Sequence, residues 1–313
     1  MTQQHPRPGA GKIRSEERSD EDGSRRSSGA SSERGERSKQ RPGAGPYTVR
    51  TPRVVAARRL QRRRERDAAG LFLAEGPQAV REAVTAAVVQ EIFGTSHGLT
   101  RFADVVGSAR EGGARISEVT DEALAALAET VQPQGLVAVC AQHPVPLEKA
   151  LEGGPRLAAV LAGIRDPGNA GTVLRTADAA GAGAVVFAGD AVDPYNGKCV
   201  RASAGSLFHV DVVRSPDPVA AVEAIRGRGV AVLAATGYGD TDLDDLADTG
   251  RLATPTAWLF GSEAHGLPAE LLAVADARVR VPIHGAAESL NLAAAAAVCL
   301  YASARAQRAR GRA

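Results

Sequence analysis

Three short segments hold the residue types that could do chemistry. Asn169 and Arg175 stand in N-x-G-x-x-x-R, and Glu263 lies in G-x-E-x-x-G-L from Gly261. Ser289 and Asn291 close V-P-I-x-G-x-x-x-S-L-N, which starts at Val281. An amide, a guanidinium, a carboxylate and a hydroxyl can each hydrogen-bond or pair with a bound ligand. Each segment also has a purely local reading. Asp166-Pro167-Gly168 is turn chemistry, so Asn169 suits a helix N-cap. Arg175 then sits about one and a half turns inside that helix, where a surface ion pair is its plain role. Ser289 or Asn291 could cap the helix that follows the third segment. Gly261 and Gly266 let a ligand approach backbone amides closely.

Other chemistries lack their signatures. No G-x-S-x-G elbow surrounds Ser289, so a hydrolase nucleophile is not expected. No G-x-G-x-x-G follows a strand, and there is no Walker phosphate loop. His265 has no second His or Cys at ligand spacing, and Cys140, Cys199 and Cys299 never pair as C-x-x-C. Neither a bound metal nor a disulfide framework is expected, and the cytoplasm is the expected compartment. The sequence has no run of ~18 apolar residues and no apolar signal core at its start, so no membrane association is expected.

The elements that must position these segments follow from periodicity and turn residues. At 313 residues the chain has room for two domains. Residues 1–46 are expected to be a disordered tail, 47–145 a small α/β domain, 146–155 a linker and 156–313 a second α/β domain. The first domain reads as a basic helix over 52–70, a strand over 71–75 and a helix over 77–87. A strand over 89–93, a helix over 122–130 capped by Asp121, and a strand over 134–140 complete it. In the second domain, apolar strands are expected at 157–162, 184–187, 210–213, 230–235, 256–260 and 278–281. Helices are expected at 170–180, 196–207, 218–228, 268–275 and 290–309. That alternation predicts a parallel sheet covered on both faces, with ligands beyond the carboxyl ends of its strands.

A net charge of +2 conceals an asymmetry. Residues 1–46 carry ten basic and seven acidic residues, whereas 50–66 carry eight arginines against the single acid Glu65. Residues 156–304 hold eleven basic and sixteen acidic residues, before Arg305, Arg308, Arg310 and Arg312. Arginine clusters of this density favour a polyanion, although a solvated helix face has the same composition.

Taken in order, the three segments and the alanine-rich helix after them resemble the SpoU/TrmH family of RNA ribose 2′-O-methyltransferases over residues 157–304. The segment 193–208, with Asp193, Tyr195, Arg201, Ser203 and Gly205, is similar to that family's intermediate loop and helix. Pro52-Arg53, the arginine run 58–66 and Phe72-Leu73-Ala74-Glu75-Gly76 resemble its ribosomal-protein-like substrate-binding domain. The resemblance implies a C-terminal trefoil-knotted, parallel-sheet (SPOUT) methyltransferase domain beside a smaller N-terminal α/β RNA-binding domain. It implies S-adenosylmethionine as cofactor, held in the knot by Gly237, Phe260, Gly261, Val281, Ile283 and Leu290. It implies catalytic roles for Asn169, Arg175, Glu263, Ser289 and Asn291. It also implies a homodimer in which the final helix takes part, alanines 293–297 allowing close approach. A guanidinium stays protonated, so Arg175 is expected to grip an RNA phosphate and stabilise the alkoxide, with Asn169 and Ser289 placing the ribose. Glu263 would orient the loops or Arg175. Arg53, Arg58, Arg59, Arg62, Arg63 and Arg201 are expected to contact RNA. The expected substrate is 23S ribosomal RNA; the alternatives are a tRNA 2′-O-methyltransferase and a non-catalytic RNA-binding or ribosome-assembly protein.

Overall fold

Two sheets organise the chain in the computed structural model, which describes residues 45–310. The tail expected over 1–46 thus falls almost wholly outside the described residues, as does Arg312. The smaller sheet contains β1 (Leu71–Glu75), β2 (Val89–Gly94), β3 (Arg115–Glu118) and β4 (Leu136–Ala141) in the order β1-β4-β2-β3. β4 runs antiparallel to both neighbours, while β2 and β3 are parallel. Around it lie α1 (Pro52–Arg59), α2 (Arg63–Ala69), α3 (Pro77–Thr85), α4 (Ser96–Arg101), α5 (Ala103–Glu111) and α6 (Asp121–Leu127). Residues 96–118, where the sequence predicts no element, form α4, α5 and β3. Thr120, and not Asp121, caps α6 through Ala123 N–H.

The basic helix expected over 52–70 is broken. Arg62 is extended (φ −98°, ψ 132°) between α1 and α2. The Arg66 guanidinium takes the carbonyls of Leu60 and Gln61, each at 3.0 Å, and the Gln61 amide reaches the carbonyls of Ala126 and Leu127. These tertiary bonds replace helical ones at the break.

The larger sheet is parallel throughout: β5 (Leu157–Ala162), β6 (Ala184–Ala188), β7 (Asp211–Ser215), β8 (Ala231–Ala235), β9 (Thr241–Asp242), β10 (Thr256–Phe260) and β11 (Ala277–Arg280). Its order is β7-β6-β5-β10-β8-β11-β9. The connecting helices are α7 (Leu147–Ala150), α8 (Pro167–Ala180), α9 (Gly197–Ser203), α10 (Pro218–Gly227), α11 (Leu243–Asp248), α12 (Ala269–Val274) and α13 (Leu292–Arg310). β5, β6 and β10 are buried at every position, as strands covered on both faces must be. Leu157, Ala159, Leu161, Trp258 and Phe260 face α8 and α13; Ala158, Val160 and Leu259 face α10 and α12. The segment expected to be a linker is fastened rather than loose: Ala150 and Leu151 are buried, and Val145 N–H bonds the Val212 carbonyl. The helix expected over 196–207 stops at Ser203, where Ala204 (φ 49°) and Gly205 (φ 102°) turn left-handed.

Two facts of topology position the site. β5 and β10 are hydrogen-bonded neighbours in the sheet although far apart in sequence, so the loop after each opens at one crevice. α13 is tied to this central pair by Trp258 Nε1 donating to Ser303 Oγ at 2.9 Å, both residues buried. The loop that precedes α13 is thereby delivered to the same edge.

The two sheets are joined by charge as well as by a shared apolar core. Arg66 and Asp193, 2% and 3% exposed, pair at 2.6 Å. Arg214 bonds Asp193 and also Asp67, at 3.0 Å to the latter, and lies over the Tyr195 ring. His209 sits between Glu82 and Asp178 at 3.3 and 2.8 Å. Burial pushes the Tyr195 hydroxyl up to about 12, so it stays neutral, and its oxygen accepts from His143 N–H at 3.2 Å.

Candidate active site

Asp166 begins the site by doing what the sequence assigned to Asn169. Its Oδ1 accepts from Asn169 N–H at 2.8 Å and caps α8, with Pro167 in the first turn. Lys198 Nζ donates to the other oxygen at 2.8 Å. The Lys198 ammonium, and next the Asn169 amide, hold the Asp166 carboxyl below its usual range. The side chain of Asn169 is therefore released from capping and reaches across the crevice.

There it joins the other two loops. Asn169 Nδ2 donates to Glu263 Oε1 at 2.8 Å, and Asn291 Nδ2 donates to Asn169 Oδ1 at 3.3 Å. Asn291 does double duty, because its Oδ1 accepts from Ala293 N–H at 2.9 Å and so caps α13. Residues from three distant segments thus form one polar chain, Glu263–Asn169–Asn291. Ser289, two residues before Asn291, is exposed. Arg175 is also exposed, six residues along α8 from Asn169, and makes no side-chain hydrogen bond among the described residues. The fold brings three of the five expected catalytic residues into contact and leaves Ser289 and Arg175 at the surface beside them.

Two motif glycines have steric reasons invisible in sequence. A Cβ on Gly171 would lie 2.4 Å from the Cys199 carbonyl oxygen and 2.6 Å from Ala202 Cβ, because α8 and α9 cross there in close contact. A Cβ on Gly261 would lie 2.3 Å from the Gly266 carbonyl carbon. The β10 loop closes on itself through Ser262 N–H to Gly266 O (3.1 Å) and the reverse bond (2.8 Å), with Gly266 at φ +67°. That closure projects Glu263 toward Asn169.

The loops that follow β8 and β11 carry exposed apolar side chains. Ile283 and Leu290 are 38% and 39% exposed, and Tyr238 is 99% exposed. A Cβ on Gly237 would meet nothing within 4 Å, so the backbone there is open to an incoming group. Phe260 is 1% exposed and stacks on Trp258, so only its backbone can meet a ligand. Val281 is half-buried at the end of β11. The 236–239 loop is anchored by Thr236 N–H to Val279 O at 2.9 Å. Exposed aliphatics, open glycine backbone and carbonyls at strand ends fit an adenosyl group, which needs an apolar slot and a few backbone hydrogen bonds.

Comparison with known proteins decides the family. Residues 156–301 match the SpoU rRNA Methylase family, and residues 51–138 match the MRM3-like substrate binding domain. A Bacillus subtilis protein named 23S rRNA (guanosine(2553)-2'-O)-methyltransferase RlmP is 34% identical over 255 residues, 81% of this chain and 96% of its own. The chain belongs to the SpoU rRNA methylase family. Among solved structures, the AdoMet-bound rRNA methyltransferase of Sinorhizobium meliloti is 30% identical with a TM-score of 0.71, covering 83% of this chain and 97% of that one. The SpoU methyltransferase AviRb of Streptomyces viridochromogenes, in complex with AdoMet, is 28% identical with a TM-score of 0.73, covering 83% and 100%.

Within this SpoU chain the arginines expected to touch RNA divide into two groups. Arg58, Arg59, Arg62 and Arg63 are exposed along α1 and α2. Arg53 pairs with Glu91 at 3.3 Å, and Arg201 pairs with Glu75 and Glu129 at 3.1 and 3.0 Å. Arg201 thus bridges the two sheets, and Arg66, in the middle of the basic run, is withdrawn into its pair with Asp193. Asp166, Lys198 and Gly171 went unassigned in sequence, whereas the cap that Asn291 makes on α13 is one the sequence offered; the D-P-G turn before Asn169 was the one available signal for the Asp166 cap.

Proposed function

We propose that this chain methylates a ribose 2′-hydroxyl in ribosomal RNA, with 23S RNA the substrate. The convergence of Asn169, Glu263 and Asn291 from three loops at the β5–β10 crevice carries this reading. The names of the relatives and the match of residues 51–138 to a substrate-binding domain support it.

S-adenosylmethionine, when bound, supplies an electrophilic methyl group. Ile283, Leu290, Gly237 and the backbone at Phe260, Gly261 and Val281 would hold it against the apolar surface. Asn169, fixed on both sides by Glu263 and Asn291, is positioned to orient the attacking ribose, and Ser289 to place its neighbour. Such alignment removes much of the entropic barrier to an in-line displacement. Arg175 remains cationic, so its role is to grip a phosphate and favour the alkoxide, while a phosphate oxygen or water takes the proton. The exposed arginines of α1 and α2 supply further phosphate contacts.

The parallel sheet with β10 inserted between β5 and β8, and α13 packed back on α8, supports a threaded C-terminal segment. Of alanines 293–297, Ala293 and Ala296 are buried within the chain, but Ala294, Val298 and Tyr301 form an exposed stripe along α13, which supports pairing of two copies through that helix. The presence of two separate sheets supports a division at 47–145 and 156–313.

The test is to incubate ribosomal RNA from cells lacking this protein with the purified chain and methyl-labelled S-adenosylmethionine. The expected product is one labelled ribose whose 3′ linkage resists alkali. Label on a base, or none, contradicts the reading.

A further inference from the structure

Two cavities at the carboxyl ends of β5 and β6 share lining residues. The first, of about 410 Å³, is walled by Arg63 and Arg66 of α2, by Arg165, and by the loop after β6 from Gly189 to Asp193. The second, of about 400 Å³, shares Arg165, Gly189 and Asp190 and continues to Ser262, His265 and Gly266 of the β10 loop. Together they make one groove from the basic helix to the loop that carries Glu263. It lies over β6, β5 and β10, whereas the exposed apolar side chains described above follow β8 and β11.

Arg165 stands at the junction. It is exposed and makes no hydrogen bond or ion pair among the described residues. Arg63, at the far end, is exposed and among the described residues pairs with Asp67 alone, at 3.5 Å. Arg66 is spent on Asp193 and sits in the floor. Asp190 lines both cavities and Glu270 the second. Cations alternating with carboxylates suit a strand whose phosphates meet arginine and whose hydroxyls and base amino groups donate to carboxylate. A compact polyphosphate would be repelled by the same acids.

We propose that this groove carries the single-stranded RNA flanking the nucleotide to be methylated, with Arg165 as a positioning residue that grips a phosphate midway between α2 and the catalytic loop. The proposal rests on the reaction proposed above and adds the path by which the substrate reaches it.

The test uses the full chain and ribosomal RNA extracted from cells lacking it. Arg165→Ala, Arg165→Lys and Arg228→Ala are compared, Arg228 being exposed at the end of α10, just before the amino-terminal end of β8, whereas the groove lies at the carboxyl ends of the strands. Losing one charge-assisted phosphate contact should raise KM for RNA on the order of tenfold and leave kcat within about twofold. The slope of log affinity for RNA against log salt should fall by about 0.7, as for one phosphate of a single strand. Affinity for S-adenosylmethionine should not change, Arg165→Lys should recover most of KM, and Arg228→Ala should match the wild type. A wild-type KM and salt slope in Arg165→Ala would overturn the groove while leaving the reaction standing, and so would a loss confined to kcat. A wild-type chain that transfers no methyl to this RNA overturns the reaction itself, and the groove with it.

Discussion

At the scale of residues, the site is built on one amide that is not used as a cap. Asp166 takes the capping task, held ionised by Lys198, so both ends of the Asn169 side chain face the other loops. Arg175 lies on the same helix, exposed and without a side-chain hydrogen bond among the described residues. Arg175→Ala is expected to cost ~10²–10³ in single-turnover methyl transfer. S-adenosylmethionine affinity should stay at the wild-type value, because the exposed apolar side chains follow other strands. Calorimetry with the cofactor alone beside rapid-quench methylation separates the two effects. Wild-type turnover in this variant would remove Arg175 from the chemistry.

At the scale of elements, the crossing of α8 and α9 depends on Gly171, where a side chain has no space. Gly171→Ala should destabilise the protein by ~1–3 kcal/mol through overpacking, read as a lower denaturant midpoint at unchanged slope. The strands of the larger sheet were legible because buried parallel strands are short apolar runs punctuated by turns; β5 and β10 match their expected bounds residue for residue. The three-loop constellation was legible too, as ordered motifs. What could not be read is tertiary: the break at Arg62, forced by Arg66 and Gln61 reaching other elements, and the transfer of capping from Asn169 to Asp166. Short elements such as α4, β9 and α11 are too brief to show a period. Arg66 and Arg201 look like their exposed neighbours in sequence, and only the acids they meet across the chain distinguish them.

At the scale of the whole molecule, the smaller sheet is locked to the larger by ion pairs rather than tethered by a loose linker. Asp193→Asn leaves Arg66 and Arg214 facing an uncharged group in a buried position, which should cost ~3–5 kcal/mol. Chemical denaturation measures that loss, and a rise in KM for RNA should accompany it as the two sheets separate. His209 gives this contact a pH dependence. Its Asp178 hydrogen bond, followed by that to Glu82 and the two carboxylate charges, raises it above the ordinary 6.5, against a lowering from partial burial. A raised histidine stabilises fully below its ordinary value and loses that contribution as pH climbs through the raised one. The denaturation midpoint of the wild type should therefore decline more steeply above pH 6.5 than that of His209→Gln. Parallel profiles for the two proteins would show that His209 does not fasten the sheets.

The convergence of the loops is tested most directly by a double-mutant cycle between Asn169 and Glu263, read as the single-turnover rate of methyl transfer to ribosomal RNA. If the two side chains act as one unit across the crevice, the Asn169→Ala, Glu263→Ala double variant should be no slower than the worse single variant. Losses that multiply, each substitution slowing the reaction by its own full factor, would show that the two groups work independently and that the polar chain does not form the catalytic site.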